Sequence, residues 1–142
     1  MPIDRYPKIY LYKRIVQAKL YIDTHYAEKI DLDNIAEEAH FSKFHFIRLF
    51  KSAYGKTPHH YLTQVRIDRA RLLLMENASI MAAAFAVGFD SATSFTGLFK
   101  RLVGMPPSLF QQHQRQRQAA ISARPLGFIP NCFAETHGWT RK

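Results

Sequence analysis

One 15-residue pattern occurs twice in this chain of 142 residues. The first copy covers residues 36–50 and reads AEEAHFSKFHFIRLF. Phe41 of this copy corresponds to Phe89, 48 residues later, whereas Phe46 corresponds to Phe95, 49 residues later. The second copy therefore has one extra residue just after its first phenylalanine. A turn accepts such an insertion and a helix does not, so each copy contains a turn at this point.

A repeat of this kind indicates one structural unit that is built twice. Each copy reads as a short helix, a tight turn and a second helix, which is the arrangement that places its second helix in a DNA major groove. Both copies continue with the same four landmarks, which are Lys51, Gly55, Pro58 and Tyr61 in the first and Lys100, Gly104, Pro107 and Phe110 in the second. Two such units predict a protein that reads two successive groove segments of double-stranded DNA.

The charge of the chain favours a polyanionic partner. The net charge is +9, although a basic protein also suits a membrane surface or simple solubility. The distribution is more informative, because one acid, Asp68, accompanies seven basic residues between positions 41 and 74. These seven are Lys43, Arg48, Lys51, Lys56, Arg66, Arg69 and Arg71.

The compartment is constrained by what the sequence lacks. No apolar run approaches the roughly 20 residues of a membrane span, and the first residues, MPIDRYPK, do not resemble a secretion signal. The lone Cys132 excludes an intrachain disulfide and suits a reducing compartment. We therefore expect a cytoplasmic protein with no membrane partner.

Hydrophobic periodicity predicts an all-α fold of about seven helices. The expected arrangement is two helix-turn-helix lobes joined by a long connecting helix, followed by an irregular C-terminal tail. On the first helix, we expect Tyr12, Ile15, Val16, Leu20 and Ile22 to face inward. The expected helices cover residues 9–26, 32–39, 58–75, 80–87 and 92–103, with a seventh starting near Ser108. Between the second and the fourth, a helix capped by Ser42 would bury Phe46, Leu49 and Phe50.

The chain divides into four expected segments. These are an N-terminal lobe (1–57), the connecting helix (58–76), a C-terminal lobe (77–110), and a Gln/Arg-rich extension with an apolar tail (111–142). Thr57 and Pro58 suit the N-cap and first turn of the connecting helix. That helix would measure about 27 Å at 1.5 Å per residue, somewhat less than one DNA turn of about 34 Å. It could hold two reading helices near adjacent major grooves, with the DNA bent to meet both.

The last segment leaves two questions open. Residues 111–118, QQHQRQRQ, have no apolar face, so they form either a solvated helix extension or a disordered stretch. Residues 119–142 contain Leu126, Phe128, Ile129, Phe133 and Trp139, which is too apolar for a free tail. We expect that tail to dock on something.

Four linked motifs resemble the DNA-binding region of the AraC/XylS transcriptional regulators. They are SKFHFIRLFK at 42–51, GKTPHHYL at 55–62, VRIDRARLLL at 65–74 and VGFDSATSFTGLFKR at 87–101. The resemblance covers roughly residues 9–110. In length and arrangement, the chain resembles the stand-alone members of the family, which lack a separate ligand-binding domain. It implies a sequence-specific regulator of transcription that binds DNA as a monomer, contacts RNA polymerase and needs no cofactor.

The resemblance also implies which residues meet DNA. The first reading helix corresponds to Lys43, Phe44, His45, Ile47 and Arg48, and the second to Ala92, Thr93, Ser94, Thr96 and Gly97. Ser42, Lys51, Ser91, Lys100 and Arg101 complete the expected DNA-binding set. Four residues depart from the family pattern: Ala83, Gly97, Pro106 and Gln111. Since many relatives carry an arginine where this chain has Gly97, the second lobe is the weaker expected base reader.

The chemistry of these side chains suggests different roles. The Arg48 guanidinium matches the O6 and N7 atoms of guanine, whereas Lys43, Lys51 and Lys100 suit phosphates. Phe44 and Ile47 could contact thymine methyl groups or pack between the lobes. Thr93, Ser94 and Thr96 could bond bases or phosphates, or merely start a helix. Arg66, inside the connecting helix, is expected to hold carbonyls or acids and not DNA.

Nothing in the sequence predicts an enzyme. The seven histidines are scattered, and no glycine-rich phosphate loop is present. Cys132 and His137 provide two ligands where a structural zinc site needs four. Two other functions stay open: the tail is a sensor that binds a protein or a small ligand, or the chain modifies DNA through a reactive cysteine, although Cys132 lacks a neighbouring base.

Overall fold

The computed structural model describes residues 5–38 and 42–123, and this part of the chain is all-α. Seven helices follow one another: α1 (Arg5–His25), α2 (Leu32–Glu38), α3 (Lys43–Tyr54), α4 (Pro58–Met75), α5 (Ile80–Ala86), α6 (Ala92–Val103) and α7 (Pro107–Ala123). The all-α prediction is confirmed. The turn predicted at residues 40 and 41 lies outside the described residues. The tail predicted from residue 119 begins within α7, and its remainder from residue 124 lies outside them.

Helix α4 has the predicted bounds because its ends are determined locally. Thr57 adopts an extended conformation, and its hydroxyl oxygen accepts a hydrogen bond from the His60 backbone N–H at 3.2 Å. Pro58 follows at the first helical position, where the missing N–H costs nothing. After Met75 the chain turns away through Asn77, which has a positive φ of 69°. The result is a continuous helix of 18 residues.

Two hydrophobic clusters lie along α4. The first joins α1, α2 and α3 to the start of α4 and contains Ile15, Ile22, Phe46, Phe50 and Leu62 among its buried residues. The second joins α4 to α5, α6 and α7 around Phe95 and Phe99. Burial of each such side chain contributes about 1.5–3 kcal/mol, so each half of α4 carries its own small core. This is the predicted pair of lobes on a connecting helix.

The expected inward face of α1 is partly wrong. Ile15 and Ile22 are buried, but Val16 is 46% exposed and Leu20 is 54% exposed. Ala18 takes the remaining inward position. Positions 15, 18 and 22 lie on one helical face, and each single-residue step moves the side chain about 100° around the helix. Residues 16 and 20 therefore project away from the first cluster.

The first lobe also contains a polar link between α1 and α4. The Tyr61 hydroxyl donates a hydrogen bond to the Asp23 carboxylate, and the Lys19 ammonium lies 2.8 Å from the same carboxylate. Burial raises the pKa of Asp23, but the hydrogen bonds from Lys19 and Tyr61 outweigh it and lower the pKa below its ordinary value. The charged form of Asp23 is thus favoured in the folded lobe, which fixes α1 against α4.

The polar segment 111–118 is helical, so the first of its two predicted alternatives holds. Helix α7 continues through it to Ala123, and most of its side chains are exposed. Gln111 is the exception, because it is only 6% exposed. Its Nε2 donates hydrogen bonds to the carbonyl oxygens of Leu74 at 3.1 Å and Ala78 at 2.6 Å. Gln111 therefore ties α7 to the last turn of α4 and to the turn that follows it.

We predict that Gln111→Met lowers the free energy of unfolding by about 1–3 kcal/mol. The side chain keeps its size, but the Ala78 carbonyl loses the Gln111 donor and the Leu74 carbonyl keeps only the Asn77 N–H at 3.2 Å. Urea denaturation followed by circular dichroism measures this change. Gln112→Met, at an exposed position of the same helix, is the matched control. An equal effect of the two substitutions would show that the buried amide contributes nothing.

Candidate nucleic-acid interface

Helix α3 begins after Ser42, the residue predicted to be its N-cap. The Ser42 hydroxyl oxygen accepts a hydrogen bond from the His45 N–H at 3.2 Å. At the other end, Gly55 adopts a left-handed conformation with a φ of 78°, and its N–H donates to the Lys51 carbonyl at 2.7 Å. Between these caps, Phe46 and Phe50 are buried. Because they lie four residues apart, they determine which face of α3 points outward.

The outward face of α3 carries most of the residues expected to meet DNA. The exposed members are Ser42, Lys43, Phe44, His45, Arg48 and Lys51. Phe44 is 76% exposed, so it does not pack between the lobes. Ile47 differs from the expectation, because it is half-buried and lines a cleft beside α2 with Phe46.

Helix α6 repeats the local construction of α3. The Ser91 hydroxyl oxygen accepts a hydrogen bond from the Ser94 N–H at 3.2 Å, and the hydroxyl donates to the Ser94 hydroxyl oxygen at 3.1 Å. Gly104 ends the helix with a φ of 94°. Phe95 and Phe99 are buried at the positions that match Phe46 and Phe50.

The outward face of α6 is smaller and more polar than that of α3. Thr93, Ser94, Gly97, Lys100 and Arg101 are exposed, whereas Ser91, Ala92 and Thr96 are half-buried. Ser91 already uses its hydroxyl as donor and acceptor within the helix cap. Gly97 occupies the position that matches Arg48, and a Cβ atom there would meet nothing within 4 Å. A larger side chain at Gly97 would therefore fit the fold.

An ion pair partly occupies the expected phosphate-binding end of α3. The Lys43 ammonium lies 3.5 Å from the Asp33 carboxylate on α2, and both side chains are mostly exposed. Exposed pairs of this kind contribute about 0–1 kcal/mol. The lysine can therefore exchange its carboxylate partner for a phosphate at little cost.

A second cationic surface lies between the two lobes. A cleft of about 500 Å³ separates the start of α4 from the end of α6. It is lined by Lys56, His60, Thr63, Gln64, Arg101 and Leu102, and within the described residues no carboxylate contributes to this lining. We call it the inter-lobe cleft. Apart from Arg101, none of these residues belonged to the predicted set, because only the packing of α6 on α4 brings them together.

Comparison with known proteins agrees with this geometry. Residues 35–113 match the family model described as a helix-turn-helix domain. Solved relatives include the DNA-binding domain of AdpA in complex with a target DNA, at 26% identity and a TM-score of 0.65 over 79% of this chain and 96% of that one. An AraC-type regulator from Chromobacterium violaceum is 26% identical, with a TM-score of 0.65 over 74% of this chain and 95% of that one.

The chain belongs to the AraC-type helix-turn-helix family.

Among curated proteins similar to this chain, AdaA of Bacillus subtilis (strain 168), a bifunctional transcriptional activator and DNA repair enzyme, is 35% identical over 99 residues. That match covers 69% of this chain and 47% of AdaA. The chain thus spans less than half the length of this curated relative.

The sequence analysis also considered a structural role for Arg66 and a metal site at Cys132 and His137. Arg66 has the expected structural role, since its guanidinium donates hydrogen bonds to the Tyr26 carbonyl at 2.7 Å and the Glu28 carbonyl at 2.9 Å. Cys132 and His137 lie outside the described residues. Within residues 5–38 and 42–123, no group of three potential metal ligands forms, and no helix is long and apolar enough to cross a bilayer.

Proposed function

We propose that this chain is a sequence-specific regulator of transcription that reads two adjacent major-groove segments of double-stranded DNA with α3 and α6. The observation that carries the proposal is the shared construction of these helices. Each has a serine cap, an inward pair of phenylalanines and an outward face free of carboxylates among the described side chains. Such a face can enter a major groove without repulsion between carboxylates and the phosphates on either side of the groove.

On α3, Arg48 reads a guanine through its paired N–H donors, and Phe44 covers a thymine methyl group. His45 and Ile47 flank these contacts. Lys43, Lys51 and the Ser42 hydroxyl bind the adjoining phosphates, which position the helix without carrying sequence information. The exposure of Phe44 supports its role, since 76% of this aromatic side chain is accessible on the outward face of α3.

On α6, base reading rests on Thr93, Ser94 and Thr96, with Ala92 and Gly97 allowing close approach of the backbone. Ser91 acts through the helix cap, and Lys100 and Arg101 bind phosphates. Hydroxyl groups discriminate bases less sharply than a paired guanidinium does. We therefore propose that the half-site under α6 is less sharply defined than the half-site under α3.

The inter-lobe cleft completes this interface. A duplex that runs from α3 to α6 carries its sugar-phosphate backbone across the gap between the lobes. Lys56 and Arg101 line that gap from opposite sides, with His60, Thr63 and Gln64 as hydrogen-bonding groups between them. We propose that the cleft binds phosphates of the segment between the two half-sites.

The remaining features of the proposal follow from the family and from the tandem lobes. Two different reading helices in one chain favour an asymmetric site bound by a monomer. Contact with RNA polymerase and a cytoplasmic location extend the resemblance to AraC/XylS regulators. We propose no enzymatic activity, although AdaA combines both roles. The function proposed for the tail, a sensor for a protein or small ligand, concerns residues outside the described part and is tested by deleting residues 124–142.

Selection of bound duplexes from a random library tests the proposal as a whole. We expect an asymmetric consensus with two blocks whose centres lie about one DNA turn apart, the sharper block containing guanine. Recovery of no consensus, or of a palindrome with identical halves, would contradict the proposal.

We predict that Arg48→Ala weakens binding to the selected site by about 1–3 kcal/mol, because the bidentate hydrogen bonds to guanine can no longer form. Fluorescence anisotropy with a labelled duplex measures this change. Arg115→Ala, an exposed arginine on α7, removes the same charge and should leave the affinity nearly unchanged. The role of Arg48 is refuted if guanine is still preferred at that position after the substitution.

We predict that the double substitution Lys56→Gln and Arg101→Gln reduces the slope of log K against log salt by about 0.9 for each phosphate that the variant no longer neutralises. Cognate and non-cognate duplexes should lose similar affinity, because phosphates carry no sequence information. Arg115→Gln with Lys13→Gln removes two exposed charges on α7 and α1, away from the cleft, and serves as the control. Equal slopes for the two double variants would exclude a phosphate-binding cleft.

A further inference from the structure

The two lobes contact each other beside the middle of α4. The buried residues of α4 pass from the first cluster at Leu62 to the second at Ile67. Arg66 lies between them and is half-buried. Its side chain leaves α4 on the flank where the turn after α1 meets the turn between α5 and α6.

On the side of the first lobe, Arg66 holds the turn that follows α1. Its Nε donates to the Tyr26 carbonyl at 2.7 Å, and its Nη2 donates to the Glu28 carbonyl at 2.9 Å. These carbonyls lie 40 and 38 positions away in the sequence. One guanidinium thus fastens the end of α1 to α4 through two charge-assisted bonds, which are the stronger class of hydrogen bond.

On the side of the second lobe, the same guanidinium contacts the turn between α5 and α6. Its central carbon lies 5.9 Å from the centroid of the Phe89 ring. A Cβ atom on Gly88 would lie 3.1 Å from that carbon and 3.0 Å from the Ala27 carbonyl oxygen. Gly88 also has a φ of 101°, which side chains disfavour. Glycine is thus required for the two turns to touch.

We call the contact of Arg66 with the turn at residues 26–28 and the turn at residues 88–89 the joint. Charge interactions keep Arg66 in this position. Burial lowers the pKa of Arg66, and the nearby Asp90 opposes this effect. An arginine stays protonated in such surroundings, so the partly buried charge needs the acceptors that the turn supplies. Removing the guanidinium would leave the Tyr26 and Glu28 carbonyls without this donor. It would also remove the side chain that packs between the turn after α1 and the turn between α5 and α6.

The joint holds the lobes on one flank of α4, whereas the inter-lobe cleft opens on another. His60, Thr63 and Gln64 line the cleft from α4, and their helical positions differ from that of Arg66 by about 120°, 60° and 160°. The contact through Arg66 and the solvent-filled cleft therefore occupy different flanks of α4. Loosening the joint would allow them to tilt across the cleft and would change the distance between α3 and α6.

We propose that Arg66 is a positioning residue that sets the spacing between the two reading helices, and therefore the spacing of half-sites that the protein accepts. The claim about half-site spacing rests on the proposed function. The claim that Arg66 fixes the distance between the lobes concerns the free protein and can be tested without DNA.

The first test measures the lobe-to-lobe distance directly. Spin labels are attached to Ser52→Cys on α3 and Ser108→Cys on α7, both exposed positions, in a Cys132→Ser background. Double electron-electron resonance should give a narrow distance distribution with Arg66 present and a clearly broader one with Arg66→Met. Lys13→Met, at an exposed position of α1, should leave it narrow. Equal widths for Arg66→Met and its parent, with unchanged helicity, would overturn the proposal.

The second test uses duplexes in which one base pair is inserted or removed between the selected half-sites. The parent protein should lose about tenfold in affinity or more on these duplexes, since the offset must be met by bending or twisting DNA. Arg66→Met should bind the original site more weakly but should discriminate among spacings several-fold less. A uniform loss on every duplex would mean that Arg66 only stabilises the fold, and would also overturn the proposal.

Two further measurements distinguish a loss of folding from a change in lobe spacing, and a failure of the proposed function from a failure of this inference. If Arg66→Met is poorly folded, Arg66→Lys retains the charge but has a single donor nitrogen in place of the guanidinium fork, and it should show an intermediate distance distribution. A result equal to that of the parent would contradict the need for the paired bonds. If the parent binds no duplex with sequence preference, the proposed function fails while the distance measurement still decides whether the joint fixes the lobes.

Discussion

The pairs of phenylalanines four residues apart are the constraint on which the rest of the structure depends. Phe46 and Phe50 in α3, and Phe95 and Phe99 in α6, are fully or almost fully buried. A helix that must bury two aromatic side chains on one face cannot rotate about its axis without exposing them, which costs about 1.5–3 kcal/mol for each ring. The identity of the outward residues, and hence the chemistry offered to a partner, follows from this burial.

The two lobes share this construction and differ in what they display. Helix α3 projects an arginine and an exposed aromatic side chain, whereas α6 projects hydroxyl groups and a glycine at the position matching Arg48. The difference is confined to the outward face, because the caps and inward phenylalanines are retained. A duplicated unit has thus kept its core while its surface diverged, as expected if one lobe specifies the site and the other mainly anchors and orients it.

Local chemistry explains why so much of this fold could be predicted. Ser42, Thr57, Ser91 and the glycines after α3 and α6 act on residues within four positions, so the sequence contains the whole interaction. The exposure of Val16 and the burial of Gln111 depend on partners elsewhere in the chain and could not be deduced in the same way. The inter-lobe cleft and the carbonyl partners of Arg66 are likewise set by tertiary packing, although the structural role of Arg66 was anticipated from its place in the connecting helix.

Hydroxyl-radical footprinting on a duplex that carries the binding site tests most directly whether both reading helices engage one face of the same DNA. We expect two separate protected patches on each strand, whose centres lie about one helical turn of 10–10.5 base pairs apart. A single protected patch, or two patches separated by a half-integral number of turns, would contradict the account, because α3 and α6 could not then be reading adjacent grooves from one side.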